Sequence, residues 1–289
     1  NIHQDTVGLI YEAQAFKTPY RKQQPFSANI QGTIGHKSIE TELRYYNGKG
    51  ETGILLGARL DKEKEGLRLQ LFPENPILAF RPFKLNTDNY ILYRNIKNIT
   101  GDIHLTGESN ASLWIHSLNE EQDQKEILLE LSQIDLALIS KGFPNMPMMK
   151  GIFNADVRYV PSDSSFMVVT DSHIDSLFYE EKRVGELMLN AVYLPINKKE
   201  HQVDVHLFRD QNEITAVNAY YSSDQNNYIE GDLNITDLPL EMLTPFIPDN
   251  MAKLNGMLQG ELSIIGHPTS PDINGFIQMD SSSVYVTAA

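Results

Sequence analysis

The chain has 289 residues, 41% of them hydrophobic, and carries 38 acidic against 24 basic side chains for a net charge of −14. It is long enough to bury a sizeable core, and its acidic balance, with no basic stretch denser than Lys17 to Lys22, argues against nucleic acid as a partner. The absence of cysteine excludes disulfides, thiol catalysis and thiolate metal sites, and no apolar run is long enough to cross a membrane as a helix.

Along the chain the dominant signal is alternation. Val7, Leu9, Tyr11, Ala13 and Ala15 take every second place, as do Ile30, Gly32 and Ile34, and then Ile39, Thr41, Leu43 and Tyr45. That is the period of a strand with one dry face. Asn47-Gly48 marks a hairpin, Ile54 to Leu60 returns from it, and Leu67, Leu69 and Leu71 alternate until Pro73. The segment from Pro73 to Asn89, with Phe80 and Phe83, reads as a divergent apolar plug. Alternation resumes in Ile103 and Leu105, continues through Leu113-Trp114-Ile115, and reappears in Leu129 and Leu131. It returns at Val157, at Phe166 to Val169, after a hairpin near Glu180 to Arg183 in Leu187 to Tyr193, in Val203, Val205 and Leu207, and in Ile214 to Tyr220. About seventeen short strands, two or three helical turns and no long helical window imply an all-β protein.

The stretch from Tyr228 to Ile277 reads strand, plug, strand. Leu233 and Ile235 alternate with Asp232 and Asn234; Leu238, Leu240, Met242, Leu243 and Phe246 shift to helical spacing; Leu258, Gly260, Leu262, Ile264 and Gly266 return to period two, and Ile273 and Ile277 follow. The same unit precedes it: Leu129, Leu131, Ile134, Leu136 and Ile139 overlay Leu233, Ile235, Leu238, Leu240 and Leu243 at an offset of 104, and Gly151 and Val157 overlay Gly256 and Leu262 at 105. A third strand core, Ile99 to Gly107, matches Leu258 to Gly266 position for position. Self-similarity at a fixed spacing, here a base unit of about 52 residues doubled once, signals stacked units in an elongated β protein.

Sites for chemistry are sparse. Gly48-Lys49-Gly50-Glu51-Thr52-Gly53 has the dinucleotide-fingerprint spacing, but a strand-like Ile54-Leu55-Leu56 follows where that motif needs a helix, so it reads as a hairpin loop. His104 and His116 lie on separate strands, and His201 and His206, five apart, fall on opposite faces of one, so no metal site is assigned. Asp171-Ser172-His173 holds the triad residue types without a nucleophile elbow, and Glu120-Glu121 and Glu180-Glu181 sit in solvated turns. No cofactor and no enzymatic activity are expected. On residues alone, the alternating positions would be the core of a two-sheet β-sandwich, a secreted module that binds glycan or protein through exposed loops such as Tyr220-Tyr221 or Trp114.

A resemblance shifts that balance. The run LPLEMLTPFIPDNMAKLNGMLQGELSIIGHPTSPDINGFIQM resembles the C-terminal region of the TamB family, through the plug at Pro239 to Leu243, the Leu254-x-Gly256 strand with Gly260, the Gly266-x-Pro268 turn and Pro271-x-Ile273-x-Gly275. Residues 1–95 carry little of the likeness. It implies an elongated, repeat-built β-taco: an open curled sheet with an apolar groove and a few short helical plugs, forming one β domain in sub-units of about 1–107, 108–210 and 211–289. The groove lining it implies comprises Ile103, Leu105, Leu129, Leu131, Val157, Val203, Val205, Leu233, Ile235, Leu258, Leu262, Ile264, Ile273 and Ile277. The implied cargo is phospholipid, through its acyl chains, and the implied partner an outer-membrane barrel of the Omp85 type. The implied setting is the periplasm, with an inner-membrane anchor outside this chain, which reads as a piece of a longer protein.

Overall fold

The computed structural model describes residues 2–4, 8–17, 26–118, 125–142, 146–163, 165–179, 181–224, 227–240, 242 and 252–286. Strands dominate throughout, and the chain divides into two compact units, Asn1–Met148 and Met149–Ala289. Val7, Phe143, Leu243, Phe246 and the turn at Glu120-Glu121 lie outside the described residues.

The first unit begins as an antiparallel meander of β1 (Ile2–Gln4), β2 (Gly8–Lys17), β3 (Phe26–Gly35), β4 (Ser38–Asn47), β5 (Thr52–Lys62) and β6 (Leu67–Leu78). At the β4–β5 turn Asn47 Oδ1 accepts the N–H groups of Lys49 and Glu51, both at 3.0 Å, so the glycine-rich run closes a hairpin instead of opening a helix. Pro73 does not end its strand. The register jumps from Gly57↔Phe72 to Leu55↔Ile77, looping out the residues around the proline, which has no N–H to give the ladder.

After β6 the chain makes two short pieces, β7 (Arg81–Pro82) and β8 (Lys84–Leu85), before β9 (Tyr90–Asn95), β10 (Asn98–Thr106), β11 (Ser112–Leu118), β12 (Glu126–Asp135) and α1 (Leu136–Gly142). Their cover role follows from their contacts. Leu85, Ile103 and Leu105 are 1–2% exposed and pack with Leu78, Phe83 and Ile91, a closed core under the segment that was expected to act as a plug. Two asparagines tie that segment down. Asn89 Oδ1 accepts Leu71 N–H at 2.7 Å and its Nδ2 donates to the carbonyls of Leu71 and Asn86, while Asn86 Oδ1 accepts His104 N–H at 2.9 Å. Side-chain amides thus stand in for a neighbouring strand at Leu71 of β6 and His104 of β10.

The second unit is a plain antiparallel succession: β13 (Met149–Pro161), β14 (Phe166–Tyr179), β15 (Lys182–Pro195), β16 (Glu200–Arg209), β17 (Asn212–Ser222), β18 (Tyr228–Pro239), β19 (Ala252–His267) and β20 (Ser270–Val286). Among the described residues β13 and β20 do not pair, so the ladder stays open. Strands reach 17 residues, longer than the sequence pattern suggested, because bulges let them bend without ending. Gly151 and Gly256, 105 apart, have φ of +138° and +115° and each sits at a register shift. Leu136 and Leu240, 104 apart, are both buried just beyond their strands. The repeat read from sequence is therefore a repeat of backbone events. Of the two plug segments, Ile134 belongs to β12 and Leu238–Pro239 to β18; the helical turn begins only after them, with Asp135 Oδ1 accepting Ala137 N–H at 2.8 Å.

Replacing the buried Asn89 with Ala should lower the stability of the chain by about 2 kcal/mol, since it removes the side-chain partner of the half-buried N–H and carbonyl of Leu71. The exposed neighbour change Asp88→Ala should shift it by about 0.5 kcal/mol or less. Urea denaturation of both variants checks this.

Candidate functional site: the apolar face of the second unit

Directly paired residues of an antiparallel ladder lie on the same face, so the register assigns every side chain a side. One row runs Val157, Thr170, Ala191, Val205, Val217, Leu233, Leu262, Gly275 from β13 to β20. The next is Tyr159, Val168, Tyr193, Val203, Ala219, Gly231, Ile264, Ile273, and a third is Ala155, Ser172, Leu189, Leu207, Thr215, Ile235, Gly260, Ile277. None of these positions is charged. Leu258, opposite Leu238 and Met279, shares the face. The opposite face carries rows such as Asp156, Asp171, Asn190, His206, Ala216, Asn234, Glu261, Phe276.

All ten second-unit residues proposed as lining, Val157, Val203, Val205, Leu233, Ile235, Leu258, Leu262, Ile264, Ile273 and Ile277, thus fall on one side. Most are half-buried, and Ile273 and Ile277 on β20 are 60% and 52% exposed. In a two-sheet sandwich the same residues would be withdrawn from water. Across β16 to β19 the face holds an open depression of about 240 Å³, whose walls include Val203, Val217, Ala219, Leu233 and Ile264. Gly231 makes its floor low: a Cβ there would come within 3.1 Å of the Asn218 carbonyl.

The first-unit members behave differently. Ile103, Ile115 and Leu129 form one row and Leu105, Leu113 and Leu131 the next, so the four predicted residues share a face. Ile103 and Leu105, however, are sealed beneath Phe83 and Leu85, which corrects their reading as groove lining: the plug in front of β9 covers them.

One feature the sequence reading missed borders the depression. Tyr159, Phe166, Tyr193, His201 and Tyr221 form an unbroken series of ring contacts at 5.1, 6.1, 6.0 and 6.0 Å across β13 to β17, all on the apolar face. Tyr193 OH meets His201 Nδ1 at 2.8 Å. The signal lay two residues beyond the apolar positions, Val157 to Tyr159 and Ala219 to Tyr221, but cross-strand register is needed to see it as a line.

Elsewhere the geometry is that of surface strands. Ser172 is on the apolar face while Asp171 and His173 are on the other, so the triad residue types cannot meet. His104 and His116 flank Trp114 at 5.1 and 3.9 Å, with Trp114 Nε1 donating to Asp102; Trp114 and Tyr220-Tyr221 lie within strands, not in loops. His201 and His206 do point to opposite faces. His173, Asp175 and Glu186 place ligand atoms within 4.8 Å and could hold a cation, but they are partly exposed on the face away from the depression. Among the described residues the clear pKa shifts are all upward and on groups that already hold a proton. They are Arg44 and Lys199 through hydrogen bonds to Glu42 and Asp224, Tyr220 through one to Glu200, and Tyr45 and Tyr228 by desolvation.

A family model described as TamB, N-terminal domain, matches residues 59–279, and no curated protein and no solved structure matches the chain. The match is to the N-terminal domain, whereas the run around residues 239–275 resembles the C-terminal region; a strand, plug, strand order that occurs twice in this chain reports the repeat and not its position.

The chain lacks cysteine, so sidedness can be read with single cysteines. A polarity-sensitive dye on Val217→Cys should emit at shorter wavelength than the same dye on Asn218→Cys, its neighbour on the opposite face. Equal spectra would contradict the register.

Proposed function

Since the chain belongs to the TamB family, with the family model spanning residues 59–279, we propose that it is part of a Gram-negative envelope-biogenesis protein whose apolar β-face carries phospholipid between the inner and outer membranes. The observation that supports this most is the uncovered apolar face of β13–β20. An acyl chain laid on it leaves water at about 0.8 kcal/mol per methylene, with no catalytic group required. In this reading the protein acts in the periplasm and serves outer-membrane protein assembly with a barrel partner of the Omp85 type. In the same reading its membrane contact comes through segments outside this chain; among the described residues no helix is long and apolar enough to cross a membrane. It is not an enzyme and takes no cofactor.

Photo-crosslinking residues placed at Val217 and Leu233 should capture phospholipid when the chain is expressed in a Gram-negative periplasm, and those at Asn218 and Asp232 should not. Leu262→Arg should abolish capture while costing folding only a few kcal/mol, because on an open face the guanidinium can snorkel to the rim, whereas in a closed core an unpaired ion costs several more. Loss of the fold in this variant, with no lipid on the wild type, would instead favour a closed module that binds through loops.

A further inference from the structure

The aromatic line at the edge of the depression has a chemistry of its own. Going outward along β16 and β17 from Val205 and Val217, the apolar face changes from aliphatic at Val203 and Ala219 to polar-tipped aromatic at His201 and Tyr221. Rings that are apolar in body and polar at one tip suit a boundary between hydrocarbon and water. His201 is part of the depression's wall, and Tyr193 OH occupies its Nδ1. That leaves Nε2 with no hydrogen-bond partner among the described residues.

Beyond His201, the β15–β16 turn carries Lys198 and Lys199. Asp224 takes up Lys199, while Lys198 is exposed and has no ion-pair partner among the described residues. When Tyr193 OH donates to Nδ1, this end of the strands offers an imidazole Nε2–H at the wall of the apolar trough, with Lys198 in the turn three residues before it. At the other end of the same face Arg209 is already beside Asp210, at 3.6 Å. With about 240 Å³ the depression is smaller than the roughly 300–1,000 Å³ of compact-ligand sites, which suits a stretch of chain more than a whole molecule.

Resting on the lipid-carrying reading above, we infer that His201, oriented by Tyr193 and assisted by Lys198, is a headgroup contact. It binds the phosphate of a phospholipid whose acyl chain lies over Val203, Val217 and Leu233. The aromatic line then marks the level at which headgroups travel, with chains on one side of it and water on the other.

The test loads the purified chain from vesicles of phosphatidylethanolamine and phosphatidylglycerol containing diacylglycerol of the same acyl chains. The protein is re-isolated and both lipid classes are quantified by mass spectrometry. Wild type should retain phospholipid over diacylglycerol. His201→Phe, which keeps the ring stack, should lower phospholipid retention about tenfold and leave diacylglycerol unchanged, the scale of one hydrogen bond to a charged group. Tyr193→Phe should give part of that loss. Undiminished phospholipid preference in His201→Phe, with lipid still bound, would overturn the headgroup assignment and leave the conduit standing, whereas wild type that retains neither lipid would overturn both. Inorganic phosphate and glycerophosphate should not displace bound phospholipid; displacement by either would assign the site to free phosphate and overturn the lipid contact.

Discussion

Everything in the second unit depends on the two-residue period of the strand being kept in phase across eight neighbours. A slip of one residue in any ladder would turn that strand's apolar set to the charged side and its charges inward. The pairing holds phase from Val157 to Gly275 without such a slip, and the bulges that occur begin at or beyond the edge of these rows, at Gly151, near Ser176, after Leu207, between Ile235 and Leu238, and at Gly256. Bulges at the ends and regularity in the middle give a continuous dry surface whose borders bend.

This accounts for what could be read from the residues. Period two, the Asn47-Gly48 and Glu180 to Arg183 turns, and the repeat at offsets of 104 and 105 are local properties of the chain, and they led to the strands, the all-β class and the shared face of the second-unit lining. Long-range features were not legible. That Ile103 and Leu105 are covered depends on Leu85, some twenty residues away, pairing with Leu105, and nothing in either segment's own pattern announces it. The aromatic line is invisible for the same reason, since its five rings come from five strands. Pro73 misled because a proline within a strand was taken as an end, when the ladder simply steps around it.

The two units solve the same problem differently. A one-layer sheet has a face that water should penalise, and the first unit meets this locally with a plug, fixed by Asn86 and Asn89, that withdraws three large side chains almost completely. Across its central rows the second unit leaves the face half-buried, with small residues at Ala219 and Gly231 where bulky ones would have filled the depression. Stability that a closed core would supply is forgone there, and on the lipid-carrying proposal a long apolar guest would restore part of it for as long as it stayed.

An uncovered apolar face is also an invitation to other copies, and the charge distribution bears on which guests are admitted. With a net charge of −14 and acidic side chains such as Glu230, Asp232 and Glu261 along the opposite face, two copies approaching each other bring like charges together. At physiological ionic strength that repulsion fades beyond about 8 Å, so it acts only once surfaces are nearly in contact. A second protein sheet has to bring its own rims within that distance to cover the face. A single acyl chain would not, because it is a thin uncharged rod. On the lipid-carrying proposal, that repulsion would discriminate by the width of the guest, and an apolar surface that would otherwise favour aggregation would stay accessible to slender amphiphiles.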